Sequence, residues 1–453
     1  MSDSPLARHL SIGTLAQRCW LIFGVALFLG LYNWLYINWL APTFSYLGMS
    51  YHEPAPLLLG TAWVLALLPS LWMPLELTRT SQVPYWFVYI MVYIPSMFGP
   101  MFMALQSRHD ISILMFCLFA GFLIISVSYL IPPARLTQHL VSYSFFWRAV
   151  YLVTAALDLW IIAIFHSNMH LVGFNAIYEL RSASDELAAG SGVGYGVMLL
   201  SSVINPLYMA YGLITKRKGL LLLGFLNQLL LYSTGGSKAV VLSVVMLVGL
   251  FLVTGRNGRN FGLKLVGAIV GVLALLCFAA TRKDLNPVFS FAMSLLFMRT
   301  FANGGYQTGA YSNFFHAHPL TYLSSVHGLD AFIHYPYPRP LGLEMGYYEM
   351  GISDLDLNAH FWASDGIAGF GPFGIVLISA LCALVFWVLD CSTARHNIVF
   401  ASLMIAFITV NLTNVSLFTT LVSGGLGLLI VLLLAMPQEH AETMQSESNN
   451  AHP

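Results

Sequence analysis

Arg299 stands between SLLFM and TF. A guanidinium beside so apolar a run is costly near hydrocarbon unless an anion pairs with it. Its planar fork matches phosphate and pyrophosphate oxygens. Arg181, in NAIYELRSASDEL, offers the same fork, with Asp185 and Glu186 close by as alternative ion-pair partners. STGGSKAV, Ser233 to Val240, raises the same question. It is not a nucleotide-binding loop, which reads GxxxxGK followed by Ser or Thr and carries a glycine further upstream. Two readings stay open. One is a tight interhelical turn capped by Ser237; the other is an anion site made by helix-terminal amides at Gly236 and Ser237 together with Lys238.

Groups able to move a proton cluster in the second half of the chain: His318, His360, Glu344 and Asp365. A neutral imidazole is a competent base near pH 7. The pair His316–Ala317–His318 lacks both the HExxH spacing and a third ligand, so no metal site and no cofactor are expected. No GxSxG elbow is present, which argues against a serine hydrolase. Asp158, inside TAALDLWII, is an acid within an apolar run. It either reaches a cavity or hydrogen-bonds a neighbouring helix, and the second reading is preferred.

The elements that must position these groups are membrane spans. The chain has 453 residues, 58% of them hydrophobic and only 8% charged, with a mean hydropathy of +0.76. A soluble domain carries about 25% charged residues, and apolar runs of about 20 residues cross a bilayer as helices. The expectation is an all-α, polytopic helical membrane protein with about 12 transmembrane helices, near 19–40, 56–77, 84–105, 111–131, 145–165, 195–214, 219–234, 238–254, 261–280, 367–390, 398–416 and 418–436. The first run is too long for a signal peptide and lacks a cleavage site, so it reads as a retained anchor. The net charge of +0 gives no global field toward nucleic acid. Five cysteines lie in or at the ends of apolar runs and read as packing residues.

With the N-terminus inside, twelve of the nineteen Lys and Arg residues fall on the cytoplasmic side, including the KRK and RNGRN clusters. Both termini are then cytoplasmic. The organisation expected is one integral-membrane domain over 1–436, external loops at 166–194 and 281–366, and a disordered tail at 437–453. The larger loop is expected to form an ordered cap with short re-entrant or interfacial helices. Arg181, Lys238, Arg282, Arg299, most histidines and most acids share its face, so function is expected there.

Taken in order, IYELRSASDEL, GYGVMLLSSVINPLYMAYGLITKRKG, LYSTGGSKAVVLSVV, FMRTFANGGYQTGAYSNFFHAHPLTYLSS and LNAHFWASDGIAGFGPFGI resemble the oligosaccharide repeat unit polymerases, the Wzy-type O-antigen and capsule polymerases of bacteria. The resemblance covers the C-terminal part of the chain; the first five spans contribute topology alone. It implies a GT-C-like membrane glycosyltransferase in the bacterial inner membrane with a periplasmic active face. The growing glycan would pass from undecaprenyl diphosphate to a hydroxyl of the next lipid-linked repeat unit. Partners implied are that lipid-linked oligosaccharide, membrane lipid and a chain-length-regulating co-polymerase. Arg181 and Arg299 would stabilise charge on the departing diphosphate. His318, His360 or Asp365 would serve as the base. Gly236, Ser237, Lys238, Arg282, Glu344 and Asn358 would contact diphosphate or sugar, and Tyr311, Tyr335 and Trp362 would offer ring faces to sugars. Three other readings compete: an O-antigen ligase acting on lipid A-core, a transporter or flippase, and a non-catalytic scaffold.

Overall fold

The computed structural model describes residues 12–134, 141–170, 184, 187, 190–235, 238–282, 287–326 and 328–437, and among these it contains helices and no strand. Eight helical stretches are long and apolar enough to cross a membrane. They are α1 (Leu15–Leu47), α3 (Gln82–Met103), α4 (Arg108–Ser128), α5 (Tyr143–Phe165), α6 (Val193–Ile214), α9 (Phe261–Ala280), α12 (Gly374–Thr393) and the stretch Leu417–Ala435, here α15. The other runs expected to span are helical too, but shorter, more polar or broken. These are α2 (Pro56–Leu71), α7 (Lys218–Gly235), α8 (Lys238–Thr254) and the pair α13 (Ile398–Met404) and α14 (Ala406–Leu412), interrupted at Ile405. Asn227 and Gln228 lower the apolarity of α7.

Capping fixes where several helices start. The Ser107 hydroxyl accepts from the Asp110 N–H and donates to the Asp110 carboxylate, so the first turn of α4 closes on itself. The Asp390 carboxylate, near the end of α12, accepts from the Ser81 N–H at 2.9 Å and the Ser81 hydroxyl at 2.7 Å, which ties α12 to the start of α3. Arg395 donates to the carbonyls of Leu433 and Met436 at the C-terminus of α15, where a cation meets the negative end of the helix dipole.

One side of the bundle is joined by amides. Asn227 Nδ2 donates to Asn205 Oδ1 at 3.0 Å, Asn205 Nδ2 to Gln228 Oε1 at 2.9 Å, and Gln228 Nε2 to Ser243 Oγ at 2.9 Å. The chain links α6, α7 and α8. Asp158 of α5 reaches the same network at Asn227, and Thr154 on α5 shares a hydrogen bond with the Tyr208 phenol of α6. In an apolar surrounding, such bonds draw helices together because the alternative is an unsatisfied polar group in hydrocarbon. The preferred reading of Asp158, a bond to a neighbouring helix, agrees with this arrangement.

The stretch 281–366 is not simply a covering loop. After Pro287–Met293 and the π-helical Ser294–Ala302, it forms α10 (Asn303–Ala317), which lies inside the helical body against α3. A Cβ on Gly99 would sit 2.5 Å from the Gly305 carbonyl carbon, and one on Gly309 would sit 2.9 Å from Met103 Sδ. Cβ atoms on Gly304 and Gly305 would run into the carbonyl oxygens of Met91 and Pro95. Ser96 and Thr308 share a hydrogen bond of 2.6 Å, and Gln106 Nε2 donates to the Ser312 carbonyl at 2.8 Å. Rising numbers on α10 meet rising numbers on α3, so the two helices run in the same direction. Backbones can approach this closely only where side chains are missing. Beyond α10 the chain continues through the turn-rich 318–340 to a short helix, α11 (Leu341–Met350).

Candidate functional site

Three faces of α10 carry three different kinds of side chain. The first, Gly304 and Thr308, meets α3 and the segment leading into α12. His360 is fully buried there, its Nε2 at 3.0 Å from Thr308 Oγ1 and 3.1 Å from the Gly304 carbonyl. A ring nitrogen facing a carbonyl carries the proton. Nδ1 is therefore the acceptor, and it has no partner. Five residues on, buried Asp365 Oδ2 accepts from the Leu417 N–H at 2.6 Å, at the N-terminus of α15. Between them, Trp362 is completely buried and donates its indole N–H to Ser379 Oγ at 2.8 Å. As placed, Trp362 presents no ring face to a sugar, and Asp365 is committed to a helix terminus.

The second face, Gln307, Tyr311, Phe314 and the following His318, packs under α11. Gln307 Nε2 donates to the Asn358 carbonyl at 2.5 Å and Tyr311 Oη to the Leu357 carbonyl at 2.9 Å. Asn358 Nδ2 in turn donates to Asp356 Oδ2 at 2.6 Å. His318 stacks on Phe314 with ring centroids 4.1 Å apart, and its Nδ1 donates to the Phe314 carbonyl at 2.8 Å. That bond fixes the tautomer and leaves Nε2 with a free lone pair. Tyr335 and Tyr337 stand edge to face at 5.7 Å. Burial, and then the Glu344 carboxylate, push the Tyr335 phenol well up and the Tyr337 phenol up to about 12. Both remain neutral donors at neutral pH. The Tyr335 hydroxyl and Glu344 Oε2 are buried without a hydrogen-bond partner. Arg339 approaches that oxygen at 4.0 Å while lying over the Tyr347 ring, also at 4.0 Å.

The third face, Ser312, Phe315 and His316, lines a cavity of about 280 Å³. Its other walls come from Gln106 and Asp110 at the start of α4, from Ile367, and from Gly371–Pro372–Phe373 at the start of α12. His316 and His318 thus serve opposite sides of α10 and do not converge as metal ligands would.

Compared with protein-family models, with curated proteins and with solved structures, the chain matches none.

Of the residues singled out in the sequence, Tyr311, Tyr335, Glu344, Asn358 and His318 come together around the second face. His360, Trp362 and Asp365 lie deeper, behind the first. Arg299 is exposed on the π-helical turn before α10 and makes no hydrogen bond or ion pair among the described residues. Arg282 is exposed and lies over the Phe278 ring at 4.7 Å. Arg181, Gly236 and Ser237 lie outside the described residues, as does the side chain of Lys238. Sequence reasoning missed Gln106, Asp110 and Ser312, and weighed His316 only as a metal ligand. The spacing of Ser312, Phe315 and His316 at i, i+3 and i+4 was the available signal.

Proposed function

We propose that this chain is a membrane glycosyltransferase that polymerises undecaprenyl-diphosphate-linked oligosaccharide repeat units on the periplasmic face of a bacterial inner membrane. The reading includes a GT-C-like fold of about twelve spans, with 281–366 forming the periplasmic part of the site. The observation that carries it is the second face of α10. There tyrosine rings, Glu344 and an imidazole with a free Nε2 gather at one end of an apolar bundle, with the Tyr335 hydroxyl buried without a hydrogen-bond partner.

In this reading the acceptor hydroxyl passes its proton to His318 Nε2, and its oxygen bonds to the anomeric carbon of the growing glycan. The bond from that carbon to the phosphate oxygen breaks, and its electron pair leaves with undecaprenyl diphosphate. Cations at Arg181, Lys238, Arg282 and Arg299 would stabilise that departing charge in a low-dielectric setting. Tyr311 and Tyr335 would bind and orient sugar rings. No nucleotide is consumed, since the phosphoglycosidic bond is the energy source.

Reconstitution into liposomes with purified lipid-linked repeat unit tests this directly. Chain growth without added nucleotide, lost in His318→Ala and Arg299→Ala, is the expected result. No growth would remove the proposal. A ligase reading predicts transfer to lipid A-core and no ladder in the same assay.

A second reading, movement of a polar solute through the bundle, is favoured by one observation: Asp158 Oδ1 on α5 and Asn227 Oδ1 on α7 are buried without hydrogen-bond partners among the described residues. It predicts that Asp158→Asn abolishes function in cells and that the reconstituted wild-type protein shows no chain growth.

A further inference from the structure

We infer that the cavity on the third face of α10 is a binding subsite for a single pyranose ring, separate from the tyrosine cluster on the second face. The assignment rests on the proposed function for the role of that sugar, as part of the acceptor, but the binding claim stands on the cavity's own chemistry.

The volume, about 280 Å³, sits at the lower end of ligand pockets, which run about 300–1,000 Å³. It suits one small ring rather than an extended chain. The walls mix three kinds of group. Asp110 supplies a carboxylate whose Oδ2 accepts from Ser107 at 2.6 Å, which fixes the side chain and leaves its other oxygen available. Gln106 is held from both ends: Nε2 donates to the Ser312 carbonyl and Oε1 accepts from the Ser312 hydroxyl at 2.9 Å. Its second N–H remains to be used. His316 is exposed, and among the described residues neither ring nitrogen has a hydrogen-bond partner. Phe315, packed on Phe314 at 4.9 Å, and Phe373, 72% exposed, supply apolar faces on two sides.

That combination selects against the other small ligands. A phosphate would meet the Asp110 carboxylate with no arginine or lysine among the lining residues. A cation would find one carboxylate and no further acid. A neutral ring that carries several hydroxyls matches all of it. Its O–H groups donate to Asp110, its oxygens accept from Gln106 and His316, and its C–H face lies on a phenyl ring. The positioning groups are also stiff, because Gln106 and Asp110 are pinned before any ligand arrives, which lowers the entropic cost of binding.

The test uses the full chain in lipid nanodiscs and a panel of free hexoses, N-acetylhexosamines and 6-deoxyhexoses, read by saturation-transfer NMR. At least one sugar is expected to bind saturably in the millimolar range. Asp110→Asn and Phe373→Ala should each weaken it by about tenfold, equivalent to about 1.4 kcal/mol. Phe373 is exposed, so its variant tests the site where Asp110→Asn would disturb the α4 cap. Absence of saturable binding by every sugar overturns the inference, as does binding within twofold of wild type in both variants.

The elongation assay separates this inference from the proposed function. Chain growth with an unchanged acceptor KM in both variants removes the subsite and leaves the polymerase. Sugar binding that depends on Asp110 and Phe373 without any chain growth removes the polymerase and leaves the subsite.

Discussion

Two collections of polar side chains sit in this apolar bundle, and they are finished to different degrees. Around Asn205, nearly every donor has an acceptor: three amides and the Ser243 hydroxyl form one chain across α6, α7 and α8. Around α10, the Tyr335 hydroxyl is buried without a hydrogen-bond partner and Glu344 Oε2 has only Arg339, 4.0 Å away, and Asp110 and His316 face an open cavity. A buried polar group without a partner costs free energy, so a closed network reads as construction and an open one as a place for something else. The Asn205 network closes except at Asp158 Oδ1 and Asn227 Oδ1, so the contrast is one of degree. It can be broken by experiment.

The largest effect should come from the contact that holds α10 in place. A Cβ on Gly99 would sit 2.5 Å from the backbone of Gly305, and neither helix can give way without moving the other. Gly99→Ala should destabilise by about 1–3 kcal/mol or more and lower the yield of monodisperse protein sharply. Gly271→Ala on α9, with nothing within 4 Å of the added carbon, is the control and should leave yield and thermal stability unchanged. If both variants behave as wild type, α3 and α10 are not packed backbone to backbone, and all three faces must be reassigned.

Next comes Tyr335→Phe, which separates function from construction at the open cluster. Removing a hydroxyl that has no internal partner should leave the melting temperature unchanged or raise it. Chain growth should fall by about tenfold if that hydroxyl binds sugar, the equivalent of about 1.4 kcal/mol. Equal activity together with higher stability would make the open cluster a defect of packing, not a site.

How much of this was legible in the sequence differs between the same two regions. The helical character followed from long apolar runs, and eight of the runs are long and apolar enough to cross a membrane. Of the remaining runs, α2 and α8 are apolar but short, α7 is made more polar by Asn227 and Gln228, and α13 and α14 are separated at Ile405. FANGGYQTGAYSNFF read as part of an external segment because it lies between the runs 261–280 and 367–390. Here Gly305 and Gly309 are four apart, the spacing that lets helices in membranes touch backbone to backbone, and that signal was in the sequence unused. Trp362 read as a sugar platform, yet burial against Tyr93 and Ser379 depends on long-range packing that no local pattern encodes. The clustering of Tyr311, Tyr335, Glu344 and Asn358 was reached through the family resemblance, not through their spacing.

On the closed side, Asn205→Leu should cost about 1–3 kcal/mol, because it removes the donor to Gln228 Oε1 and one acceptor of the Asn227 amide nitrogen in an apolar surrounding. Reconstituted chain growth per folded molecule should be unchanged. A variant as stable as wild type would show that the amide chain does not hold the helices together. Lost activity at full stability would move the functional centre from α10 to this network and favour the solute-movement reading.

The smallest effect tests the electrostatics beside the open cluster. Glu349 lies on α11, and its Oε2 and the unpartnered Tyr306 hydroxyl both stand 3.8 Å from the position of a Cβ on Gly48. Burial pushes the Glu349 carboxyl above the ordinary carboxylate value. The folded protein therefore holds this proton more tightly than the unfolded chain does. The resulting stabilisation is fully present below the ordinary carboxylate range and is lost as pH rises through the raised value. Glutamine mimics the protonated form at every pH. Glu349→Gln should match wild type at about pH 4, near the unperturbed glutamate value, and melt a few degrees higher at neutral pH, with the difference growing as pH rises through the raised value. Thermal melts of both proteins across that range give the measurement. A pH-independent difference would mean that the carboxylate is solvated where it stands, and that α11 does not close over the end of α10.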